Sequence, residues 1–425
     1  MKISLLGGRV VDPANGFDGV VDIHIAAGRV AAIGSAPQGF QANRRIEATG
    51  LVICPGLVDL AARLREPGLE HRATLESEMH AAAAGGVTTL ACPPDTDPPL
   101  DEPGLVEMLK FRARNLPGPR VFPVGALTTG LHGETITEMS ELTEAGCVAF
   151  SHADAPLADT QVLLRALQYA ATFGHPVWLR PQDSCLARGG IAHEGAVAGA
   201  LGLVGVPVVA ETVAIATIIQ LVRLTGARVH LCRMSSAAGV ELLRAARNEG
   251  LPITADVAAH HLHLTDAELP RFDAQLRLVP PLRSEADRAA LSAAVADGTI
   301  DAVCSDHAPL DDEVKEVPFG EAEPGASGIE LLLPLTLAWA ERAGVSLAMA
   351  LATISSRPAA VLGLPYGHIV EGGPADLCVF DPRAQWTVRR EALFSQGRNT
   401  PFLGQTLTGQ VRYTIIDGHV DFERH

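Results

Sequence analysis

The sequence predicts an α/β protein: a (β/α)8 TIM barrel with a small β-sandwich domain built from both chain ends. Residues 54–364 alternate short β-rich runs with Ala- and Leu-rich helical patterns, which is typical of stacked βα units. Residues 1–53 instead alternate apolar and polar positions in short runs broken by glycines, which indicates antiparallel strands. The same pattern returns in residues 365–425, so we expect the two ends to form one domain.

Eight β-rich runs are candidate barrel strands. In a (β/α)8 barrel the functional residues collect at the C-terminal ends of the strands, so the residues just after each run are the candidates for a site. The predicted strands are residues 53–60, 87–92, 120–124, 147–151, 176–180, 228–233, 252–257 and 300–305.

Composition excludes several classes of protein. The chain has 425 residues, 47% of them hydrophobic, and no run approaches the ~20 apolar residues of a membrane span. Its net charge of -16 disfavours nucleic acid and anionic membranes as partners. The seven cysteines form no Cys-x-x-Cys pair, so neither a disulfide framework nor a zinc ribbon is expected. No signal peptide is visible, which predicts a cytoplasmic protein.

Several motifs occur in a fixed order along the chain. Residues 55–65 read Pro-Gly-Leu-Val-Asp-Leu-Ala-Ala-Arg-Leu-Arg, and residues 305–309 read Ser-Asp-His-Ala-Pro. Residues 317–320 read Val-Pro-Phe-Gly, and residues 398–404 read Arg-Asn-Thr-Pro-Phe-Leu-Gly. Together they resemble the dihydroorotase branch of the amidohydrolases over nearly the whole chain. The resemblance implies the metal-dependent hydrolase form of the barrel.

The resemblance also implies metal-binding histidines at four positions where this chain has other residues. The positions hold Ala61, Arg63, Arg180 and Arg233. A methyl group has no lone pair, and a guanidinium is a permanent cation with donors only, so neither binds a divalent metal. We therefore predict that the chain has no metal and no other cofactor. A bridging carboxylated lysine is not expected either, because none of the three lysines follows a barrel strand.

Three further positions match parts of the family's substrate site. Arg65 resembles the arginine that binds the substrate carboxylate, and it is either a working carboxylate binder or a relic. Asp95 replaces an asparagine, which exchanges an amide donor for a pure acceptor. Asp306 corresponds to the general base, while Leu310 replaces a histidine that contacts substrate. We interpret Arg65 and Asp95 as vestigial binding residues and Asp306 as a vestigial base.

The three arginines at ligand positions predict a barrel mouth filled with ion pairs. Two unit charges ~4 Å apart at an effective dielectric of ~20 interact by about 4 kcal/mol, so each guanidinium opposes a nearby dication. The same attraction favours carboxylate partners. An alternative is an anion pocket for a phosphate or carboxylate effector. The candidate partners for Arg63, Arg180 and Arg233 are Asp59, Asp154, Asp183 and Asp306.

The remaining histidines near strand ends have two interpretations. His260 and His261 are predicted to be structural residues with satisfied hydrogen bonds, because adjacent side chains on one strand point in different directions. Their alternative role is a mononuclear metal site with Asp306. His307 is predicted to shape its loop or support its neighbours rather than to do chemistry.

Two functions follow from the resemblance. The first is a non-catalytic dihydroorotase-like subunit in pyrimidine biosynthesis, which supports the aspartate carbamoyltransferase catalytic chain and forms a homodimer within a larger hetero-oligomer. A barrel that has lost its site keeps its core, so such a role is compatible with the fold. The second is an active dihydroorotase or related cyclic amidohydrolase with an atypical centre, built from His152, Asp154, His260 or Asp306.

Overall fold

The computed structural model describes residues 1–424. Its strands are β1 (Lys2–Leu6), β2 (Arg9–Asp12), β3 (Phe17–Val20), β4 (Ile23–Ala26), β5 (Arg29–Ile33), β6 (Arg44–Glu47), β7 (Val52–Pro55), β8 (Leu57–Asp59), β9 (Val87–Cys92), β10 (Arg120–Ala126), β11 (Ala149–Ser151), β12 (Val177–Leu179), β13 (Ala192–His193), β14 (Gly205–Val206), β15 (Val229–Leu231), β16 (Ile253–Ala258), β17 (Ala302–Cys304), β18 (Leu377–Thr387), β19 (Thr406–Ile416) and β20 (His419–Glu423).

The α-helices are α1 (Leu75–Ala84), α2 (Pro103–Arg114), α3 (Met139–Ala145), α4 (Thr160–Phe173), α5 (Ala196–Leu201), α6 (Val208–Thr225), α7 (Ala237–Asn248), α8 (Glu285–Ala296), α9 (Leu332–Ala343), α10 (Leu347–Thr353) and α11 (Ser356–Leu362). Local sequence explains several of their ends. The Asp159 side chain caps α4, and α4 and α6 stop at Gly174 and Gly226, whose φ angles of 75° and 69° suit glycine.

Eight parallel strands form the predicted barrel. Their order is β8, β9, β10, β11, β12, β15, β16 and β17. The ring closes through the segments that follow β17 and β8, where Ala62 and His307 form a parallel bridge. The Arg63 N–H donates to the His307 carbonyl at 2.9 Å, and the His307 N–H donates to the Ala61 carbonyl at 2.9 Å. The expected (β/α)8 fold is confirmed, and the closure places residues 61–63 beside residue 307.

The two chain ends form a β-sandwich, as predicted. One sheet has the order β5-β4-β1-β6, and the other has the order β20-β19-β18-β7-β2-β3. Apolar residues from both sheets make up its core, among them Ile3 and Ile25 from the first sheet and Val10 and Val379 from the second. Strands from the C-terminal end therefore complete a domain that the N-terminal end begins.

The prediction of one strand over residues 53–60 is wrong, because two strands occupy this stretch. β7 pairs with β18 of the sandwich, and β8 pairs with β9 of the barrel. The chain changes sheet at Gly56, where a Cβ atom would lie 2.1 Å from Thr88 Oγ1. A side chain at this position would collide with the neighbouring strand, so the crossing requires glycine.

The barrel and the second sheet of the sandwich also have a common core. Cys378, Phe380 and Val411 of the sandwich belong to the same cluster of buried side chains as Leu57 and Val87 of the barrel. The relative exposures of Cys378 and Phe380 are both 0%. Apolar packing therefore continues from one domain into the other.

Within residues 1–424, one helix is long and apolar enough to cross a membrane by length and composition. This helix is α6, with a mean hydropathy of 1.6 over 18 residues. In the structure α6 packs against α4 and α7 on the outside of the barrel. Because α6 is one of the helices that surround the barrel, its inward face is apolar.

Candidate functional site

The three arginines predicted from the sequence meet at the C-terminal mouth of the barrel. Arg63 follows β8, Arg180 follows β12 and Arg233 follows β15, so three different strand ends contribute them. Their side chains are 7%, 9% and 6% exposed. A buried guanidinium needs a carboxylate or several hydrogen bonds, because desolvation of its charge is costly.

Asp154 supplies a carboxylate to all three arginines. Its Oδ2 accepts from Arg63 Nη2 at 2.6 Å, and its Oδ1 accepts from Arg233 Nη2 at 2.5 Å. Arg180 Nε lies 2.6 Å from the same Oδ1. This aspartate follows β11, so it reaches across the mouth to arginines from both sides. We call the three arginines with their aspartate partners the mouth network.

Two more carboxylates complete the mouth network. Asp306 Oδ1 accepts from Arg233 Nη1 at 3.0 Å and from Arg63 Nη1 at 3.3 Å. Asp95 Oδ2 accepts from Arg63 Nε at 2.7 Å. Three guanidiniums thus face three carboxylates, and the formal charges cancel.

Two of the four predicted aspartate partners are in the network, and two are not. Asp154 and Asp306 form ion pairs as expected, whereas Asp59 accepts from the Ser305 backbone N–H at 2.9 Å and Asp183 accepts from the Leu186 N–H at 2.8 Å. Asp59 and Asp183 bind nearby backbone groups instead of arginines. Asp95 is a partner of Arg63 that was not among the predicted aspartates. It follows β9, the neighbour of β8 in the barrel, and this position after an adjacent strand was the signal that could have indicated the pair.

The charges of the mouth network shift the pKa values of its members. Burial opposes ionisation of Asp154, but the attraction of Arg233, Arg180 and Arg63 outweighs it and lowers the pKa of this carboxyl. Burial also opposes the charge of Arg233, and the carboxylates of Asp154 and Asp306 overcome it and raise its pKa. The network therefore favours the charged forms of Asp154 and Arg233, whereas burial of Asp306 outweighs its two arginines and raises the pKa of that carboxyl.

Three residues of the mouth have a left-handed backbone. The φ angles are 63° for Arg65, 56° for Arg233 and 46° for Asp306. Such angles are uncommon for residues other than glycine and cost roughly 1–3 kcal/mol each. The surrounding structure must impose them, and they direct these three side chains into the mouth.

Arg65 has a different environment from the other arginines. Its Nε donates to the Pro309 carbonyl at 2.9 Å, and among residues 1–424 no carboxylate lies within 4.0 Å of its guanidinium. Burial and the charge of Arg63 lower its pKa to about 10. Arg65 lines a cavity of about 160 Å³ together with Leu310 and the Arg72–Glu323 ion pair.

The histidines after β16 are buried but not satisfied, contrary to the prediction. Within residues 1–424, His260 Nε2 and His261 Nδ1 have no hydrogen-bond partner, and the two rings lie with centroids 4.7 Å apart. His260 Nε2 is 3.9 Å from Asp306 Oδ2. Burial lowers the pKa of each histidine to about 3, so both are neutral.

His307 and His152 have structural partners. His307 Nε2 lies 2.6 Å from Glu78 Oε2, and its Nδ1 accepts from the Gly328 N–H at 3.2 Å. His152 bonds Thr128 Oγ1 at 2.9 Å and the Ala155 carbonyl at 3.0 Å. Both rings therefore use both nitrogens to hold loops, and neither offers a free lone pair.

Among the described residues one cluster has ligand atoms close enough together for a metal ion. It consists of His230, Cys232 and Asp256 inside the barrel. His230 already bonds Asp256 Oδ2 at 2.9 Å and Thr254 Oγ1 at 2.8 Å. Burial raises the pKa of the Cys232 thiol well above its ordinary value, which keeps it protonated. A hydrogen-bonded core cluster explains these residues without a ligand.

The donor set at the mouth does not fit the divalent metal that a hydrolase of this fold uses. Arg63, Arg180 and Arg233 bring three positive charges, and their guanidiniums have no lone pair to donate. The carboxylates that would hold a cation already bind these arginines. A metal ion would have to displace several charge-assisted hydrogen bonds, so we derive no metal-dependent step at this site.

Comparisons with known proteins place the chain in a family. Residues 50–238 match the model of the Dihydro-orotase-like family, and residues 227–420 match that of the Amidohydrolase family. A dihydroorotase-like protein of Pseudomonas putida is 49% identical over 420 residues, 99% of each chain. The chain belongs to the dihydroorotase-like family. A dihydroorotase-like protein of Pseudomonas aeruginosa is 47% identical over 100% of each chain, and a dihydroorotase of Syntrophotalea carbinolica is 39% identical over 99% of each.

Solved structures agree with the fold of this family member. The L-hydantoinase (dihydropyrimidinase) from Arthrobacter aurescens superposes with a TM-score of 0.87 at 25% identity, covering 98% of this chain and 95% of that one. A D-hydantoinase superposes with a TM-score of 0.84 at 22% identity. The likeness extends over both the barrel and the sandwich, because it covers nearly the whole chain.

Proposed function

We propose that this dihydroorotase-like protein is a non-catalytic pseudoenzyme that serves as a structural subunit for an aspartate carbamoyltransferase in pyrimidine biosynthesis. The observation that carries the proposal is the mouth network. The motif resemblance assigns metal-binding histidines to the positions of Arg63, Arg180 and Arg233, and in this chain three aspartates bind these arginines.

The chemistry of ring opening explains why the network argues against catalysis. Hydrolysis of a cyclic amide near neutral pH needs a strong nucleophile, which a bound metal supplies by lowering the pKa of water from 15.7 to about 7. The vestigial base Asp306 instead accepts hydrogen bonds from Arg63 and Arg233. Oδ1 of this carboxylate is therefore bound to two guanidiniums, which stabilise its ionised form and make it a weaker base.

The partner in this proposal is the aspartate carbamoyltransferase catalytic chain. The dihydroorotase-like subunit would pair with a second copy of itself and would hold transferase chains in a larger hetero-oligomer. The intact barrel and sandwich around the ion-paired site support this proposal. A protein that keeps its fold after losing its catalytic residues can still bind other chains through its outer surface. In this proposal the chain contributes to the assembly of the complex and not to catalysis.

The test combines metal analysis, activity and assembly on the full chain. We expect fewer than about 0.1 zinc per chain after purification in zinc-containing buffer. We also expect no dihydroorotate formation or hydrolysis above background, and co-elution with the transferase from the same organism. Transferase activity should fall when the two chains are separated and return when they are mixed.

A matched control is the dihydroorotase of Syntrophotalea carbinolica, 39% identical over the full chain. It shows that the assay and the metal measurement work on a chain of the same length. About one zinc per chain with turnover in our protein would overturn the pseudoenzyme assignment. A transferase that is equally active and stable without this chain would overturn the subunit role.

One observation favours a second candidate, an active cyclic amidohydrolase with an atypical centre. His260 Nε2 is buried, has no hydrogen-bond partner among the residues that the structure describes, and lies 3.9 Å from Asp306 Oδ2. A neutral imidazole beside a carboxylate is a common acid–base arrangement. His260→Ala distinguishes the two candidates, because it would abolish any measured turnover of dihydroorotate or hydantoin if this centre worked.

A further inference from the structure

A cavity lies at the end of the barrel opposite the mouth, because residues that begin β10 and residues that precede β11 line it. Its volume is about 540 Å³, and the last turn of α2 and the hairpin that joins β19 to β20 complete its wall. The cavity therefore lies between the barrel and the sandwich. Small-molecule sites commonly occur at such domain junctions.

Two basic side chains of the cavity wall have no acidic partner. Lys110 and Arg114 are one helical turn apart in α2, so they lie on the same face of this helix. Neither forms an ion pair with a carboxylate among the described residues, and Lys110 Nζ donates to the Ala145 carbonyl at 3.0 Å. Arg112 of the same helix differs, because its guanidinium pairs with the buried Glu66 carboxylate. Lys110 and Arg114 thus bring two uncompensated positive charges to the cavity.

One acidic side chain of the wall also has no partner of opposite charge. Asp421 belongs to β20, and its carboxylate forms no ion pair with a basic group in the part of the chain that the structure describes. Burial raises the pKa of this carboxyl to about 6; His419 opposes the shift and Asp417 adds to it. A partly buried carboxylate without a cation is unfavourable, so a bound cation would be stabilised beside Asp421.

The other charges of the wall neutralise one another. The Arg120 guanidinium donates to the carboxylates of Asp376 and Asp417, and it lies 4.9 Å from the centre of the Tyr366 ring. Asp417, which also lines the cavity, therefore has its partner within the chain. Among the lysine, arginine and aspartate residues of the wall, two positive charges and one negative charge are left unpaired.

We propose that this cavity binds an acidic amino acid, a small molecule with two carboxylates and one ammonium group. Its carboxylates would accept hydrogen bonds from Lys110 and Arg114, and its ammonium group would donate to Asp421. Such a ligand complements all three unpaired charges through charge-assisted hydrogen bonds. A simple dicarboxylate would leave Asp421 beside a like charge, and a simple amine would meet two cations.

The wall is built to hold such a ligand. The Lys110 ammonium is fixed by the Ala145 carbonyl, and it fits there only beside glycine, since a Cβ atom at Gly146 would lie 1.7 Å from Lys110 Nζ. The planar guanidinium of Arg114 can bind a carboxylate through two parallel hydrogen bonds. Apolar side chains cover the rest of the wall and can contact the methylene groups of the ligand, while water shares the remaining volume. These side chains are Leu116, Val121, Phe122, Val148 and Ile416.

Isothermal titration calorimetry of the full-length chain with L-aspartate and with L-glutamate tests the site. We expect at least one of them to bind with a dissociation constant below about 1 mM. Succinate lacks the ammonium group of L-aspartate, and L-alanine lacks one of its carboxylates, so each should bind at least about 10-fold more weakly. The proposal is wrong if neither acidic amino acid binds at concentrations up to about 10 mM, or if succinate binds as tightly as L-aspartate.

Two substitutions locate the ligand. Arg114→Gln removes one cation from an exposed position and should raise the dissociation constant of the bound amino acid at least about 10-fold. Asp421→Asn should weaken binding of the amino acid by a similar factor but leave succinate binding unchanged or tighter, because it removes a negative charge. Opposite responses of the two ligands cannot result from a loss of folding.

Arg165→Gln is the matched control, since it removes a positive charge from an exposed residue of α4, and we expect unchanged binding. Arg65→Gln tests the mouth of the barrel as the alternative location. Binding that is lost in Arg65→Gln and unchanged in Arg114→Gln would place the ligand at the mouth and overturn the proposal. The cavity needs no second chain, so its test is independent of the proposed subunit role.

Discussion

Among the three carboxylates of the mouth network, Asp154 alone contacts all three arginines, Arg63, Arg180 and Arg233. Its side chain is 35% exposed, whereas the arginines are nearly buried. Removing its charge would leave three guanidiniums with the two carboxylates of Asp95 and Asp306. Repulsion between the arginines would then be unbalanced in a partly desolvated pocket.

We therefore predict that Asp154→Asn destabilises the protein by about 1–3 kcal/mol in urea unfolding. The value lies below the about 3–5 kcal/mol of a fully buried pair because solvent screens the exposed part of Asp154. Glu313→Gln is the control, since it removes a charge from an exposed residue. A loss no larger than that of Glu313→Gln would show that the mouth network contributes little to stability.

The dependence of the free energy of unfolding on pH, measured at acid pH, tests the lowered pKa of Asp154 independently. Its pKa is lower in the folded protein than in the unfolded chain. Burial alone would raise this pKa, but the attraction of Arg233, Arg180 and Arg63 outweighs burial and lowers it. The carboxylate therefore adds stability above the unfolded pKa of about 3.9, and this stability is lost as the pH falls through the folded value. Between pH 5 and 3 the wild type should lose stability more steeply than Asp154→Asn. Parallel curves would contradict the lowered pKa.

The sequence predicted the residue types of the mouth better than their pairing. Arg63, Arg180 and Arg233 were recognisable because each follows a barrel strand in a family motif. Their partners depend on which loops meet across the mouth, and no local pattern specifies that distance. Asp183 was a reasonable candidate by position, but its carboxylate caps the following turn through the Leu186 N–H instead.

At the scale of elements, one buried contact ties the loop after β17 to α1. His307 follows β17 and Glu78 lies in α1, and both side chains are 0% exposed. Glu78 also accepts from Ser395 Oγ at 2.6 Å and from the Gln396 N–H at 3.0 Å. This carboxylate therefore joins three separate segments of the chain around the loop that carries Asp306.

We predict that His307→Ala lowers the free energy of unfolding by about 3–5 kcal/mol, because it leaves the buried Glu78 carboxylate without a main partner. Urea unfolding followed by circular dichroism measures the change. His71→Ala is the control, since the His71 side chain is 61% exposed. A loss below about 1 kcal/mol would mean that water or Ser395 replaces the imidazole.

The hydrophobic pattern of the sequence alone does not locate all the strand boundaries. Residues 51–60 are almost continuously apolar, so they read as one buried strand although β7 and β8 lie in different sheets. Pro55 and Gly56 in the middle of the run were the signal of a break. The clash that a Cβ at Gly56 would make with Thr88 depends on tertiary contact and is not visible in the sequence.

At the scale of the whole molecule, the order of βα units and the matching patterns of the two ends were enough to predict both domains. What they left open was how the domains are joined. The common core of Cys378, Phe380 and Val411 with Leu57 and Val87 means that part of the apolar surface of each domain is buried only by the other. Two domains with a continuous core should unfold together, unlike two domains joined by a linker.

We predict a single calorimetric unfolding transition, which Phe380→Ala shifts to lower temperature without splitting it. Phe380 lies in the sandwich and is 0% exposed, so its truncation should cost about 3–5 kcal/mol and lower the midpoint by several degrees. Phe17→Ala is the control, because Phe17 is 41% exposed at the edge of the same sheet. Two transitions, with only the lower one moved by Phe380→Ala, would show that the sandwich unfolds independently. In that case packing across the junction would be too weak to couple the domains, and the barrel would owe its stability to its own core and to the mouth network.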